Sequence, residues 1–306
     1  MFKVKVGSAP ISWDAYPSHN KKNSGLSFEQ MLDAMAAAGY EGTELESNAL
    51  FPADSETMRA ALDSRNLQVA SSYVTLPLAQ EGALDDMLET LDNVCTRFSR
   101  FNASDIRIAC ASSPRRLEVA GFVAADGSDG WNDQEWQRAA KALEAVAARS
   151  MERFNLRAGF HHHTGTFVET PAEVARLMEM TDPELVGLCL DTGHYHYGGG
   201  DVVQAAADYA DRIWYVHLKD VWPEKLERVR KERIHMSQAW EMDVFAELGL
   251  GCVDFPALFS LLRSNQYQGW LVVEQDSVGR SARDNAWSPF ESAKLSRDYL
   301  RDVLRV

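Results

Sequence analysis

Positive charge is scarce in this sequence: 31 Lys and Arg stand against 45 Asp and Glu, a net charge of −14 over 306 residues. A surface built to grip nucleic acid or an anionic membrane clusters its Lys and Arg, so neither partner is expected. No apolar run approaches the roughly 20 residues that span a bilayer. The opening Met1-Phe2-Lys3-Val4-Lys5-Val6-Gly7 reads as a strand rather than a targeting segment. Cysteines are few (Cys95, Cys110, Cys189, Cys252) and lack the CxxC spacing of redox or zinc motifs. Cys110 and Cys189 sit in apolar runs, as reduced core thiols do. No Gly-rich phosphate loop follows the first strand, which weighs against a doubly wound nucleotide fold. These absences leave a cytoplasmic enzyme with a small-molecule substrate as the expected class.

What is present is an ordinary globular composition, 45% hydrophobic and 25% charged, in which strand-like and helix-like segments alternate. Ser27 with Gln30 forms a capping box ahead of Met31, Ala34, Met35 and Ala38, which recur on one helical face. Thr170-Pro171 marks another helix start, with Pro at its first turn. Counted this way, the chain holds eight β/α units without a composition break, which predicts a single (β/α)8 TIM barrel over residues 1–306. The first strand is placed near residues 3–12. Residues 112–132 read as a structureless loop of the length used for lids. Residues 222–250 read as an irregular insertion with helical pieces, whose apolar area would suit a homo-oligomer contact.

In such a barrel the C-terminal strand ends converge on one mouth, and here those ends carry chemistry. Apolar runs finish at His161-His162-His163, at Asp191, at His217 and at Glu274. Four strand ends bearing His, Asp, His and Glu form a candidate divalent-metal set; mixed imidazole and carboxylate donors suit several first-row ions. Alternation along a strand gives His161 or His163 the mouth-facing place and turns His162 to the packing side. Glu44 and Glu46 alternate with Leu45 and offer a base or a hydroxyl-binding carboxylate. His194 lies three residues past Asp191, within reach of a substrate oxygen. Lys219 lies two residues past His217, where a nearby cation would lower its pKa enough for acid–base work. Trp13, Tyr73, Trp131 and Trp240 fall in rim loops that could wall a polyol pocket, and His235 reads as a surface residue.

These strings resemble the xylose-isomerase-like TIM-barrel superfamily of sugar isomerases, epimerases and dehydratases, and within it the inosose (2-keto-myo-inositol) dehydratase branch. The likeness is carried by Ala9-Pro10-Ile11-Ser12-Trp13, Gly42-Thr43-Glu44, the triple His with Glu169-Thr170, and Asp191-Thr192-Gly193-His194. Val216-His217-Leu218-Lys219-Asp220-Val221 and Gly269-Trp270-Leu271-Val272-Val273-Glu274-Gln275-Asp276 complete it. The resemblance implies Asp191, His217 and Glu274 as metal ligands. It places His161 where isomerases and epimerases carry a Glu, making His161 the fourth ligand. The metal-bound Glu pair of aldose–ketose epimerases is incomplete, which favours dehydratase over epimerase. The implied ion is Mn²⁺ or Co²⁺, with Zn²⁺, Fe²⁺ or Mg²⁺ as alternatives. The implied reaction is β-elimination of water from a cyclic keto-polyol. His163, Lys219 or Glu44 would take the proton, and His194 would protonate the departing hydroxyl. A sugar isomerase or epimerase, or a β-eliminating lyase of a 3-keto-glycoside, is the alternative.

Overall fold

In the computed structural model, which describes residues 2–13, 26–45, 51–276 and 287–306, eight parallel strands close into a barrel. In chain order the strands are β1 (Lys5–Ser8), β2 (Gly42–Leu45), β3 (Gln68–Leu76), β4 (Asp105–Cys110) and β5 (Arg157–His161). They continue with β6 (Val186–Asp191), β7 (Ile213–Leu218), β8 (Asp220–Val221), β9 (Phe245–Ala246) and β10 (Trp270–Val273). Strands β1 to β7 and β10 make the barrel; β8 and β9 form a separate antiparallel pair beyond β7. The (β/α)8 expectation is met.

Helices α1 (Phe28–Ala38), α2 (Ser55–Asp63), α3 (Leu84–Phe98), α4 (Pro114–Val119), α5 (Asp133–Phe154) and α6 (Pro171–Met180) serve the first half. The rest are α7 (Thr192–Tyr197), α8 (Val202–Asp208), α9 (Pro223–Glu232), α10 (Met236–Glu241), α11 (Phe255–Ser264) and α12 (Pro289–Asp302). Capping boxes at Ser27/Gln30, Asn132/Glu135, Thr170/Glu173 and Ser288/Glu291 satisfy the first free amides of α1, α5, α6 and α12. Most of the helices bury Leu, Met, Val and Phe against the outside of the sheet in one continuous core.

Several local expectations change. The first strand stops at Ser8, and Pro10–Trp13 winds into a 3-10 turn. The turn is closed by Ser12 N–H on the Ala9 carbonyl and by the Trp13 indole donating to Ser8 Oγ (2.9 Å). Trp13 is thereby fully buried and walls nothing. The 112–132 segment is not structureless: it holds α4, capped by Ser113 with Pro114 in the first turn. Its Arg116 is wholly buried, forks onto Glu173 (2.8 and 2.9 Å) and lies 3.9 Å from Glu169. Glu169 in turn accepts from the Gly121 and Gly165 amides, both at 2.7 Å, and stitches the segment to the turn after β5. Trp131 is core too, edge-on to Trp136 and stacked on Phe167.

The 222–250 insertion does contain helical pieces, α9 and α10. Its apolar side chains, among them Leu226, Val229, Met236, Val244 and Phe245, turn inward to a small core shared with Ala120 and Tyr197. Trp240 packs at the edge of that core rather than at the rim. His235 caps α10, accepting from the Ser237 amide. Among the described residues no helix is long and apolar enough to cross a membrane.

Candidate metal centre and active site

The barrel register sets the site. His161 is the last residue of β5 and Asp191 the last of β6; Asp191 pairs in register with His217 of β7, and His217 with Val272 of β10. Glu274 follows β10 immediately, its amide bonded to the Leu218 carbonyl. One ligand atom from each of His161, Asp191, His217 and Glu274 therefore falls within 4.8 Å of the others. His161 Nε2 and His217 Nδ1 lie 3.1 Å apart, each 3.5 Å from Asp191 Oδ2, and His217 Nδ1 is 2.5 Å from Glu274 Oε2.

Asp191 is held by one end of its carboxylate. It is the N-cap of α7: Oδ1 accepts from the His194 amide at 2.8 Å, which leaves Oδ2 aimed at the cluster. Asp191 Oδ2 and Glu274 Oε2 are buried and accept no well-directed hydrogen bond among the described residues.

A second group sits beside the first. Lys219 Nζ lies 3.1 Å from Asp276 Oδ1, 3.3 Å from Glu274 Oε2 and 3.4 Å from Asp191 Oδ2, with His194 Nε2 at 2.9 Å. Burial opposes the ammonium charge, but Asp191, Asp276 and Glu274 outweigh it and raise the pKa. The lowering expected from sequence would come from a bound cation, and these three carboxylates act against it. Because an ammonium only donates, His194 Nε2 accepts from it, and His194 Nδ1–H then faces Thr164 Oγ1 at 3.0 Å. Burial holds His194 neutral, and the neighbouring His163 and Lys219 add to the effect.

His163 is the half-open member. Its ring lies on His194 with centroids 3.7 Å apart, and its Nδ1 sits 2.7 Å from the Thr164 carbonyl. A carbonyl can only accept, so Nδ1 carries the proton and Nε2 keeps its lone pair. His162, on the other side of the chain as expected, is fully buried; its Nε2 accepts from the Asp191 amide at 3.3 Å.

Glu44 is placed beneath the cluster rather than at the open mouth. Its Oε1 lies 2.9 Å from both His217 Nε2 and Tyr215 Oη, and its Oε2 is 2.8 Å from Arg107 Nη2. Arg107, from the middle of β4, lies between the rings of Tyr73 and Tyr215 at 5.3 and 5.5 Å. Tyr73 also sets its ring edge-on to His161. Glu46 lies outside the described residues. Cys189 is near the two imidazoles, but burial pushes its thiol up to about 12, so it stays protonated.

Sequence reasoning missed Arg107, Tyr215 and Asp276. The first two sit inside strands, where a mid-run side chain reads as core. Asp276 lies two residues past Glu274, and the spacing Glu274-Gln275-Asp276 was the available signal.

Known proteins share this barrel. Residues 32–303 match the model of the xylose isomerase-like TIM barrel, and the chain belongs to that family. One relative, an inosose dehydratase of Clostridium beijerinckii, is 33% identical over 302 residues, covering 98% of this chain and 97% of the relative. Among solved structures the barrel superposes on the probable 3-DHS dehydratase AsbF of Bacillus anthracis (TM-score 0.73, 16% identity, 98% of this chain and 100% of that one). It also superposes on the IolI protein solved with a zinc atom (TM-score 0.72, 12% identity, 98% of each chain). At those identities the two structures speak for the fold alone.

Proposed function

We propose that this protein is a divalent-metal-dependent hydro-lyase that removes water from a cyclic keto-polyol, with 2-keto-myo-inositol as substrate. The observation that carries the reading is the pair of adjoining clusters at one mouth, in a chain aligned end to end with inosose dehydratases.

The residues fit an ion. Among the described residues, Asp191, Glu274, Asp276 and Glu44 bring four carboxylates to one buried region in which Arg107 and Lys219 are the permanent cations, a shortfall of two positive charges before the His217 imidazole is counted. Buried charge of that size needs a counter-charge. His161, Asp191, His217 and Glu274 would hold a divalent ion, and their mixed N and O donors suit Mn²⁺ or Co²⁺. When bound, such an ion supplies positive charge where the substrate's carbonyl oxygen gains electron density.

The chain's own groups divide the proton work. His163 Nε2, with its lone pair directed away from Thr164, accepts the proton α to the ketone. The Lys219 ammonium, steadied by Asp276 and by His194, donates to the departing hydroxyl. His194 orients that ammonium through Nε2 and is itself oriented by Thr164. Glu44, held by Tyr215 and Arg107, is left out of the proton transfer.

The test is mass spectrometry of 2-keto-myo-inositol with the purified protein and Mn²⁺ or Co²⁺, beside Glu274→Gln. Loss of one water by the wild type only is the expected result. Epimerisation or isomerisation at unchanged mass would replace the dehydratase with an isomerase.

A further inference from the structure

The ion pair beneath the mouth has no part in the proton transfers above, and it lies against a proposed metal ligand. His217 uses both nitrogens. Nδ1 faces His161, Asp191 and Glu274, while Nε2 faces down, 2.9 Å from Glu44 Oε1 and 2.9 Å from Arg107 Nη1. A nitrogen that gives its lone pair to an ion cannot also carry the proton, so with Nδ1 as the donor atom the proton resides on Nε2. Of the two groups facing Nε2, the guanidinium can only donate. Glu44 is therefore the acceptor once Nδ1 serves an ion, and the Arg107 Nη1–H 2.9 Å from Nε2 must then turn aside.

We propose that Glu44 is a positioning residue acting through His217: it accepts the Nε2 proton, so holding the imidazole in the tautomer and orientation that bind the ion through Nδ1. The role rests on the metal reading above. Three neighbours equip Glu44 for it. Arg107 neutralises the carboxylate at 2.8 Å. Tyr215 donates to Oε1 from the same strand that carries His217. Tyr73 and Tyr215 flank the guanidinium, so it cannot swing away. Glu44, Arg107, Tyr215 and His217 are all buried, so water offers no substitute acceptor for the imidazole proton. Carboxylates placed behind a ligating imidazole generally raise metal affinity by about 10- to 100-fold.

The experiment measures metal binding alone, without substrate. Protein stripped with a chelator is titrated with Zn²⁺ in competition with a chromophoric chelator, and with Co²⁺ while its visible absorption bands are followed. Glu44→Gln is expected to weaken Zn²⁺ binding by about 10- to 100-fold and to shift the Co²⁺ bands, with Glu44→Asp recovering part of both. Tyr215→Phe keeps the carboxylate and the charge, and is expected to weaken Zn²⁺ binding several-fold. It carries the test if Glu44→Gln does not fold. Wild-type affinity and unaltered Co²⁺ bands in a folded Glu44→Gln, or in Tyr215→Phe where that variant carries the test, overturn the proposal. If Glu274→Gln also binds Zn²⁺ like the wild type, the metal reading itself has failed, and that outcome is distinguishable because Glu274 faces the cluster directly.

Discussion

Gly193 is the most informative place to disturb the site without touching a polar group. It is the second residue of α7, and a Cβ built there would lie 2.4 Å from Lys219 Cγ and 2.7 Å from Lys219 Cβ and Cδ. Those atoms are the middle of the lysine stem, and the stem is pinned at its far end by Asp191, Glu274 and Asp276. It cannot absorb a methyl group by swinging its tip. Gly193→Ala must push Lys219 or α7 outward by about an ångström, an overpacking strain of about 1–3 kcal/mol. For a reactive group, a displacement of that size costs on the order of 100-fold in rate. The expected result is a hydro-lyase whose kcat falls about 100-fold, with Zn²⁺ affinity close to wild type and a thermal midpoint lowered by a few degrees. Steady-state kinetics, the chelator titration and a thermal melt on the same preparation check all three. Wild-type kcat in Gly193→Ala would refute the placement of Lys219 as the acid.

Metal loading should stabilise the fold: an ion present at about 100 times its Kd adds about 2.7 kcal/mol, read as a rise in thermal midpoint that Glu274→Gln largely abolishes. Arg116→Met should cost about 3–5 kcal/mol in urea unfolding, because it strands Glu173 and Glu169; adding Glu173→Gln should recover part of the loss. Asp92 is held below its ordinary value of 3.8 by the Arg149 hydrogen bond at its surface. A depressed carboxylate contributes stability above its unfolded pKa and loses it as pH falls through the folded one. Asp92→Asn should therefore lower stability by about 0.5–1 kcal/mol near pH 7, and the gap should close as the pH is taken below 3.8.

The barrel was legible because its signals are local and repeated. Caps such as Ser27/Gln30 and Thr170/Pro171, and apolar runs of strand length, mark the units without reference to distant residues. Strand-end chemistry was legible for the same reason: once the barrel is assumed, His161, Asp191, His217 and Glu274 share a mouth by topology. Roles were less legible, because they depend on which partner a side chain meets across the barrel. Lys219 reads as a lysine beside a cation, and only the structure shows that Asp276 lies against it as well. Glu44 reads as a mouth carboxylate until Arg107, some 60 residues further along the chain, closes on it from β4. The helix α7 gave no warning either. Thr192-Gly193-His194-Tyr195-His196-Tyr197 has no apolar period, and its start is fixed by the Asp191 cap rather than by propensity.

The two oxygens of Asp191 serve different masters. Oδ1 begins a helix, and Oδ2 completes the proposed set of metal donors. A substitution at this one position consequently acts twice, on folding and on catalysis, and the two effects can be separated. Serine keeps a hydroxyl able to cap but offers no anionic donor, whereas glutamate keeps the charge and overshoots the cap. Any lineage that repurposed this mouth for metal-free chemistry would find Asp191 harder to discard than Glu274, since Glu274 carries no helix with it.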